Sequence, residues 1–182
     1  MPSPTIAPFG SWKSPITSDL IVAQSIGLGG VVFDNNDIYW LEGRPQEKGR
    51  SVLVKYSPDG QITEITPQPF NVRTRVHEYG GGSFLVNDGV VYFVDFQDQR
   101  LYQKLPNEDP KALTPENQLR YADFVLDVAN NRLISVCEDH SHADQECENK
   151  IVAIDINTGA ITPLIEGDDF YSCLLYTSPS PR

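Results

Sequence analysis

The sequence lacks long apolar runs and clusters of basic residues. No stretch in its 182 residues approaches the roughly 18 consecutive apolar residues that a membrane helix needs. The 25 acidic and 14 basic residues give a formal net charge of −11, and Lys and Arg do not gather in any one segment. Nucleic-acid binding depends on such clusters to replace counterions on phosphates. We therefore predict neither a membrane nor a nucleic-acid partner.

Cysteine is scarce, and cofactor motifs are missing. Cys137, Cys147 and Cys173 form an odd set without the spacing of a disulfide framework, so we interpret them as free thiols in a reducing compartment. The N-terminus has neither the basic region nor the apolar region of a secretory signal. The sequence contains no P-loop, dinucleotide fingerprint or EF-hand loop. These observations predict a cytoplasmic protein without a cofactor.

Sustained helical periodicity is also absent, whereas an apolar, strand-like run recurs about every fifty residues. The three runs Ser51–Ser57, Arg100–Pro106 and Lys150–Ile156 begin 49 and 50 residues apart. Each run is followed by a turn rich in Pro, Asp, Asn or Gly, the residue types that adopt the φ angles of tight corners. The recurrence indicates a repeated β unit with little helix.

Each repeat predicts four antiparallel strands, named a to d in chain order, with the recurring run as strand c. The predicted strands a, b and d are Gly29–Asp34, Asp37–Glu42 and Gln61–Thr66 in the first repeat, Gly82–Val86, Val90–Phe96 and Lys111–Thr114 in the second, and Ala122–Val128, Arg132–Glu138 and Ala160–Ile165 in the third. Four-stranded units of this length are typical of β-propeller blades. We therefore predict an all-β fold with blades at about 29–67, 80–115 and 121–166.

Three blades are too few for a closed ring, because propellers close with at least about four. The prediction is therefore an incomplete propeller, an open fan of three blades. A β-sandwich is the structural rival. It fits the strand content, but it does not explain why three turns recur in register.

The last ten residues differ from the rest of the chain. The run CLLYTSPSPR, Cys173 to Arg182, has no strand alternation and no net acidity. It resembles the translation of a transposase adapter used in sequencing libraries, and a flexible Ser/Pro tail is the alternative. We expect residues 1–172 to be the partial propeller, residues 173–182 to be non-native, and the biological protein to be longer.

The connection from strand d of blade 1 to strand a of blade 2 carries an unusual set of polar side chains: Arg73, Arg75, His77, Glu78 and Tyr79, followed by three glycines. Glycine permits close approach of an inner strand to the crowded channel axis. The charged groups would lose hydration at a channel mouth unless they are paired. The sequence is compatible with two arrangements: the arginines pair with Glu78, or the segment binds a charged ligand.

The b–c loop of blade 3, Cys137–Asn149, is longer than its equivalents. It contains two histidines, two cysteines and five carboxylates. The spacing matches no structural zinc pattern, which needs paired Cys-x₂₋₄-Cys or His-x₃₋₅-His units. We therefore predict a hydrated acidic loop and no metal site.

In an antiparallel blade the b–c and d–a connections emerge on the same face. The segments Arg73–Gly82, Glu138–Asn149 and Glu42–Arg50 are therefore expected to share one rim, and connecting loops tend to carry function. The residues that we predict for a substrate-access rim are Arg73, Arg75, His77, Glu78, Tyr79, Glu138, Asp139 and His140.

No catalytic residue is predicted. The chain has no Gly-x-Ser-x-Gly nucleophile elbow. Asp139, His140 and Ser141 are neighbours in sequence, and a catalytic triad instead needs groups that converge in space.

Four motifs in order, with a matching closing run, resemble one protein family. They are Gly10–Thr17, Ile38–Pro45, Arg73–Gly82, Glu138–His140 and the closing run Val152–Ser172. Together they resemble the N-terminal propeller of prolyl oligopeptidase family serine peptidases, in the dipeptidyl aminopeptidase and acylaminoacyl-peptidase branch. The resemblance covers essentially residues 9–172.

The resemblance implies a propeller of about seven blades followed by an α/β-hydrolase domain that carries the Ser-Asp-His triad in that order. This chain would then be a non-catalytic propeller fragment, inactive alone, of an exopeptidase or oligopeptidase that cleaves short peptides. Its partners would be the missing hydrolase domain and the peptide.

Propeller carboxylates in some relatives hold the substrate's N-terminal amine, and here the resemblance nominates Glu78 and, second, Glu138. The alternative function is a non-enzymatic propeller that binds a peptide, a glycan or a protein. A Gly-x-Ser-x-Gly motif several hundred residues downstream in the parent gene would favour the peptidase.

Overall fold

A computed structural model describes residues 6–11, 13–22, 25–142, 146–172 and 174. Three separate four-stranded antiparallel sheets follow one short helix, α1 (Ser18–Val22). No helix in these ranges has the length and apolarity to cross a membrane. The predicted all-β fold with three blades in an open fan is confirmed. The expected non-native tail, residues 173–182, lies outside the described residues apart from Leu174.

Each sheet is one blade, and its strands follow one another in chain order. Blade 1 contains β1 (Gly27–Asp34), β2 (Asp37–Arg44), β3 (Arg50–Tyr56) and β4 (Ile62–Glu64). Blade 2 contains β5 (Phe84–Asn87), β6 (Val90–Val94), β7 (Leu101–Lys104) and β8 (Lys111–Ala112). Blade 3 contains β9 (Leu119–Asp127), β10 (Arg132–Asp139), β11 (Glu148–Asp155) and β12 (Ile161–Glu166). Short 3₁₀ turns occupy Pro45–Glu47 and Val128–Asn130.

The corners between strands a and b use the residues that tolerate left-handed backbone. Asn35 has φ of 53°, and Asp88 and Gly89 have φ of 49° and 74°. Two positive φ angles in succession define the type I′ turn, whose twist matches that of the flanking strands. The corner at Asp88 and Gly89 therefore fits this turn type, whereas the a–b corner of blade 3 is the longer 3₁₀ turn Val128–Asn130, after which Asn131 has φ of 51°.

The d strands of blades 1 and 2 end earlier than predicted. The backbone N–H of Leu53 donates to Thr66 Oγ1 at 2.9 Å, and that of Leu101 donates to Thr114 Oγ1 at 3.0 Å. In each case a side-chain hydroxyl replaces the carbonyl that a regular ladder would supply. The strands consequently stop at Glu64 and Ala112, two residues short of the predicted ends.

The apolar core lies between the blades. One cluster joins blades 1 and 2, and it contains Tyr39, Leu53, Val72, Val86, Val91 and Phe93. A second cluster joins blades 2 and 3, and it contains Tyr92, Val94, Leu101, Tyr121, Phe124, Leu133, Cys137, Val152 and Ile154. Burial of these facing sheets, at roughly 25 cal/mol per Å² of apolar surface, stabilises the stack of blades.

Contacts at the turns also join neighbouring blades. The Asp34 carboxylate in blade 1 accepts the N–H groups of Asp88 at 2.9 Å and Gly89 at 2.7 Å in blade 2. Gly159, in the β11–β12 turn, has φ of 69° and packs against the carbonyl oxygen of Leu113 in blade 2. A Cβ atom at Gly159 would collide with that oxygen.

Two of the three glycines before blade 2, Gly81 and Gly82, meet the inner strand of blade 3. The N–H of Gly82 donates to Asp123 Oδ1 at 2.6 Å, and the N–H of Asp123 donates to the Gly82 carbonyl at 2.9 Å. A Cβ atom on Gly82 would lie 2.9 Å from Asp123 Oδ1. Glycine therefore brings the d–a connection against β9, and β5 begins only at Phe84.

Candidate functional site

The d–a connection before blade 2 makes a tight turn that presents consecutive side chains on the rim. The N–H of Glu78 donates to the Arg75 carbonyl at 2.9 Å. His77 and Glu78 both have left-handed backbone, with φ of 57° and 58°. Non-glycine residues rarely adopt this conformation, and it persists where the surroundings hold it. Here a hydrogen bond of 2.6 Å from the His77 N–H to Glu138 Oε1 stabilises this backbone conformation.

Glu138 lies near the end of β10 with only 4% of its side chain exposed. Its Oε1 atom is also 3.2 Å from His77 Nδ1, and its Oε2 atom is 2.9 Å from His140 Nε2 and 3.8 Å from Arg120 Nη1. A buried carboxylate needs such partners, because its lost hydration is otherwise uncompensated. Glu138 therefore joins the b–c loop of blade 3 to the turn before blade 2.

Unlike the buried Glu138, Glu78 faces solvent, with 79% of its side chain exposed. Arg120 Nη1 donates to Glu78 Oε1 at 2.9 Å and to the Arg75 carbonyl at 3.3 Å. The hydrogen bond from Arg120 and its positive charge hold the pKa of Glu78 below its ordinary value. Glu78 is therefore an ionised carboxylate on the rim.

Two expected rim arginines share one aromatic ring instead of pairing with Glu78. The guanidinium carbons of Arg73 and Arg75 lie 5.0 Å and 4.4 Å from the Phe96 ring centroid, within the range of cation–π attraction. Among the described residues no ion pair joins either arginine to an acid. Tyr79 is almost fully exposed. The pairing that the sequence left open is made by Arg120 of β9.

Asp139 and His140 extend the rim from the end of β10. The Asp139 carboxylate accepts the Ser141 N–H at 3.0 Å and lies 3.3 Å from Lys150 Nζ. Burial would raise the pKa of Asp139, but the hydrogen bonds from Ser141 and Lys150 outweigh it and lower the pKa. Since side chains alternate along a strand, Asp139 faces away from Glu138 and His140.

A polar groove of about 610 Å³ opens beside these residues, between blades 2 and 3. Its lining includes Arg75, Gln97, Gln99, Gln118, Arg120 and His140. The carboxylates of Asp98 and Glu116 also line it, so the groove combines cationic, acidic and amide groups that donate and accept hydrogen bonds. Such a lining suits a polar ligand.

The segment after blade 3 packs onto the same rim. The Phe170 ring stacks on His77 with centroids 4.0 Å apart, and the Tyr171 carbonyl oxygen is 2.8 Å from His77 Nε2. His77 therefore contacts both Glu138 and the chain that leaves blade 3. This double contact orients the imidazole.

Cys147, the residue immediately before β11, lies beside the cluster. The donor atoms of Glu138, His140 and Cys147 all lie within 4.8 Å of one another. Burial and the charge of Glu138 raise the pKa of the Cys147 thiol. Residues 143–145, within the loop where the sequence predicted no metal, lie outside the described residues.

Two contributors to the site were not among the predicted rim residues. Arg120 stands early in strand a of blade 3, and repeat register alone could have placed it near the d–a turn. Cys147 belongs to the loop that the sequence predicts to be hydrated and acidic, and it is not among the predicted rim residues. Its position opposite His140 becomes visible only once the hairpin register is known.

Several solved structures resemble the described fold. A puromycin-hydrolyzing peptidase of Mycobacterium tuberculosis shares 34% identity at a TM-score of 0.80, covering 96% of this chain and 29% of that one. A puromycin hydrolase shares 29% identity at a TM-score of 0.77, covering 88% of this chain and 27% of that one. A nidogen/laminin complex, at 15% identity and a TM-score of 0.51, shows the fold alone. No protein-family model and no curated protein matches the chain.

The three blades and their rim define this chain as a partial β-propeller. It is homologous to the propeller region of puromycin-hydrolyzing peptidases, which belong to the prolyl oligopeptidase family, as the sequence motifs predicted. The chain spans less than a third of the length of either peptidase.

Proposed function

We propose that this chain is the N-terminal propeller portion of a serine peptidase and that its rim receives the free amine of a short peptide or aminoacyl substrate. The support is homology to the propeller region of two peptidases whose names record hydrolysis of puromycin. The chemistry would belong to an α/β-hydrolase domain. The chain alone would be inactive.

The observation that carries the amine assignment is the contrast between the two rim glutamates. The ionised Glu78 carboxylate is exposed, and its Oε1 atom has Arg120 as its partner at 2.9 Å. Each carboxylate oxygen accepts more than one hydrogen bond, so Glu78 retains acceptor capacity for a substrate ammonium. A charge-assisted bond of this kind would favour substrates with a free amine over blocked ones.

Glu138 supports a different role in the same proposal. Both of its oxygens already have partners within 3.2 Å, and its side chain is buried. Glu138 stabilises the turn at His77 and Glu78 by accepting a hydrogen bond from the His77 N–H. Glu138 is therefore a positioning residue, and Glu78 is the residue that would touch substrate.

The test uses the intact protein encoded by the parent gene and compares Glu78→Gln with the unaltered protein. We expect kcat/KM to fall roughly tenfold or more on aminoacyl anilides with a free amine, because one charge-assisted hydrogen bond is lost. Hydrolysis of N-acetylated substrates should change little.

The matched control is Glu108→Gln, which removes another exposed, paired carboxylate. Glu108 lies in the β7–β8 connection, where Lys111 Nζ is 2.7 Å from its Oε2 atom. This variant should leave both substrate classes unaffected. Equal losses in the two variants, or an unchanged Glu78→Gln enzyme, would refute the assignment. Binding without hydrolysis by the intact protein would instead support the binding-module alternative.

The two described thiols support a proposal about the compartment. Cys137 and Cys147 are both free in the structure. Free thiols are typical of reducing compartments. We accordingly assign the protein to the cytoplasm as part of this proposal.

A further inference from the structure

The b–c hairpin of blade 3 places three metal-ligating side chains on one face. The last pair of the β10–β11 ladder joins Asp139 to Glu148, so the next residues outward, His140 and Cys147, stand opposite each other. Side chains alternate along a strand, and Glu138, two residues before His140, shares its face. The pairing thus explains why the three donor atoms lie within 4.8 Å of one another.

The carboxylate of this cluster is held in place before any ligand arrives. Glu138 Oε1 accepts the His77 N–H at 2.6 Å, and the side chain is 4% exposed. This contact leaves Oε2 directed at His140, whose Nε2 atom is 2.9 Å away. A ligand with a fixed orientation loses less conformational entropy when a metal binds.

We propose that Glu138, His140 and Cys147 bind Zn²⁺ or a chemically similar divalent cation, with water completing the coordination. Zinc accepts oxygen, nitrogen and sulfur ligands together. Its bonds of roughly 2.0–2.3 Å separate tetrahedral ligand atoms by roughly 3.3–3.8 Å. Separations of up to 4.8 Å in the cluster would therefore shorten by at most about 1.5 Å, and the 2.9 Å separation of Glu138 Oε2 and His140 Nε2 would lengthen by roughly 0.5 Å. This site goes beyond the proposed peptidase function, and neither depends on the other.

The charged groups around the cluster include one that would weaken cation binding and another that would favour it. Arg120 Nη1 is 3.8 Å from Glu138 Oε2, and its positive charge opposes a bound cation. That nitrogen is closer to Glu78, at 2.9 Å, and it also donates to the Arg75 carbonyl. Glu146 adds negative charge beside Cys147, whereas the Glu148 carboxylate is paired with Lys150 Nζ at 3.0 Å. The local charge therefore permits a divalent cation.

The first experiment is a titration of the full 182-residue chain with Zn²⁺ and with Co²⁺. We expect one Zn²⁺ per chain and, with Co²⁺, the absorption band that marks a thiolate–cobalt bond. Cys147→Ser and His140→Gln should each weaken binding by more than about 100-fold, since loss of a ligand exceeds the effect of losing an outer-shell partner. His142→Gln, an exposed histidine outside the cluster, should bind as the unaltered chain does.

Circular dichroism verifies that each variant retains its β structure. A folded chain that binds no Zn²⁺, a cobalt complex without the thiolate band, or undiminished binding by Cys147→Ser would overturn the proposal. A second measurement needs no variant. Zn²⁺ should slow alkylation of Cys147 by iodoacetamide, read by peptide mass spectrometry, and an unchanged rate would equally refute the site.

Discussion

The contact of the Gly159 turn with blade 2 permits a quantitative test of how the blades pack. Alanine at position 159 faces two penalties. The backbone φ of 69° is left-handed, which disfavours any residue with a Cβ atom by about 1–2 kcal/mol. The new Cβ would also collide with the Leu113 carbonyl oxygen, a backbone atom of the neighbouring blade.

Gly60 supplies the matched control, because it occupies the equivalent turn between β3 and β4 of blade 1. Its φ is 86°, and a Cβ atom there would meet nothing within 4 Å. Gly60→Ala should therefore lower the free energy of unfolding by about 1–2 kcal/mol. Gly159→Ala should lower it by about 2–5 kcal/mol, since overpacking adds about 1–3 kcal/mol. The smaller conformational entropy of an unfolded Ala applies to both variants and cancels in the comparison.

The assay is equilibrium unfolding in urea, followed by the far-ultraviolet dichroism of the sheets. The midpoint of Gly159→Ala should fall well below that of Gly60→Ala, with similar slopes. In thermal unfolding each kcal/mol corresponds to roughly 2–4 °C for a chain of this size. Two variants that agree within about 0.5 kcal/mol would refute the reasoning, because the blades would then not meet at this turn.

The Thr66→Val variant removes the hydroxyl that accepts the Leu53 N–H. We expect urea unfolding to show a loss of about 1–3 kcal/mol because a buried donor is left unsatisfied, and an unchanged midpoint would contradict this role of the hydroxyl. A hydrogen bond from Arg50 lowers the pKa of Glu47 from 4.5 to about 2, so its ionised form stabilises the fold above pH 4.5 and this contribution is lost as the pH falls towards 2. Urea midpoints measured across that window should therefore decline less in Glu47→Gln than in the unaltered chain, and parallel declines would contradict the pairing.

The repeat and its corners were readable in the sequence because they depend on local chemistry. A strand alternates with period two, and Asn35, Asp88 and Gly89 adopt positive φ wherever a two-residue hairpin demands it. The strand ends were less predictable. Thr66 and Thr114 fit a strand by propensity, but their hydroxyls accept N–H groups of the c strands, and the d strands end two residues earlier.

The candidate rim was predictable as a location and not as a set of contacts. Repeat register places the d–a turn and the b–c loop on one face, and the structure joins them through the His77 N–H and Glu138. The sequence offered Arg73 and Arg75 as partners for Glu78. The structure supplies Arg120, which lies 42 residues away in another blade.

By itself the sequence determined the fold class, the number of blades and the face that carries the polar loops, because each follows from spacing along the chain. Only the tertiary structure decided which charged residues pair, as Arg120 does with Glu78. It also decided that Glu138 is buried while Glu78 is exposed, and that Cys147 lies beside His140. Hydrogen bonds and ion pairs act over about 3 Å, and the blades set those distances between residues that are far apart in sequence.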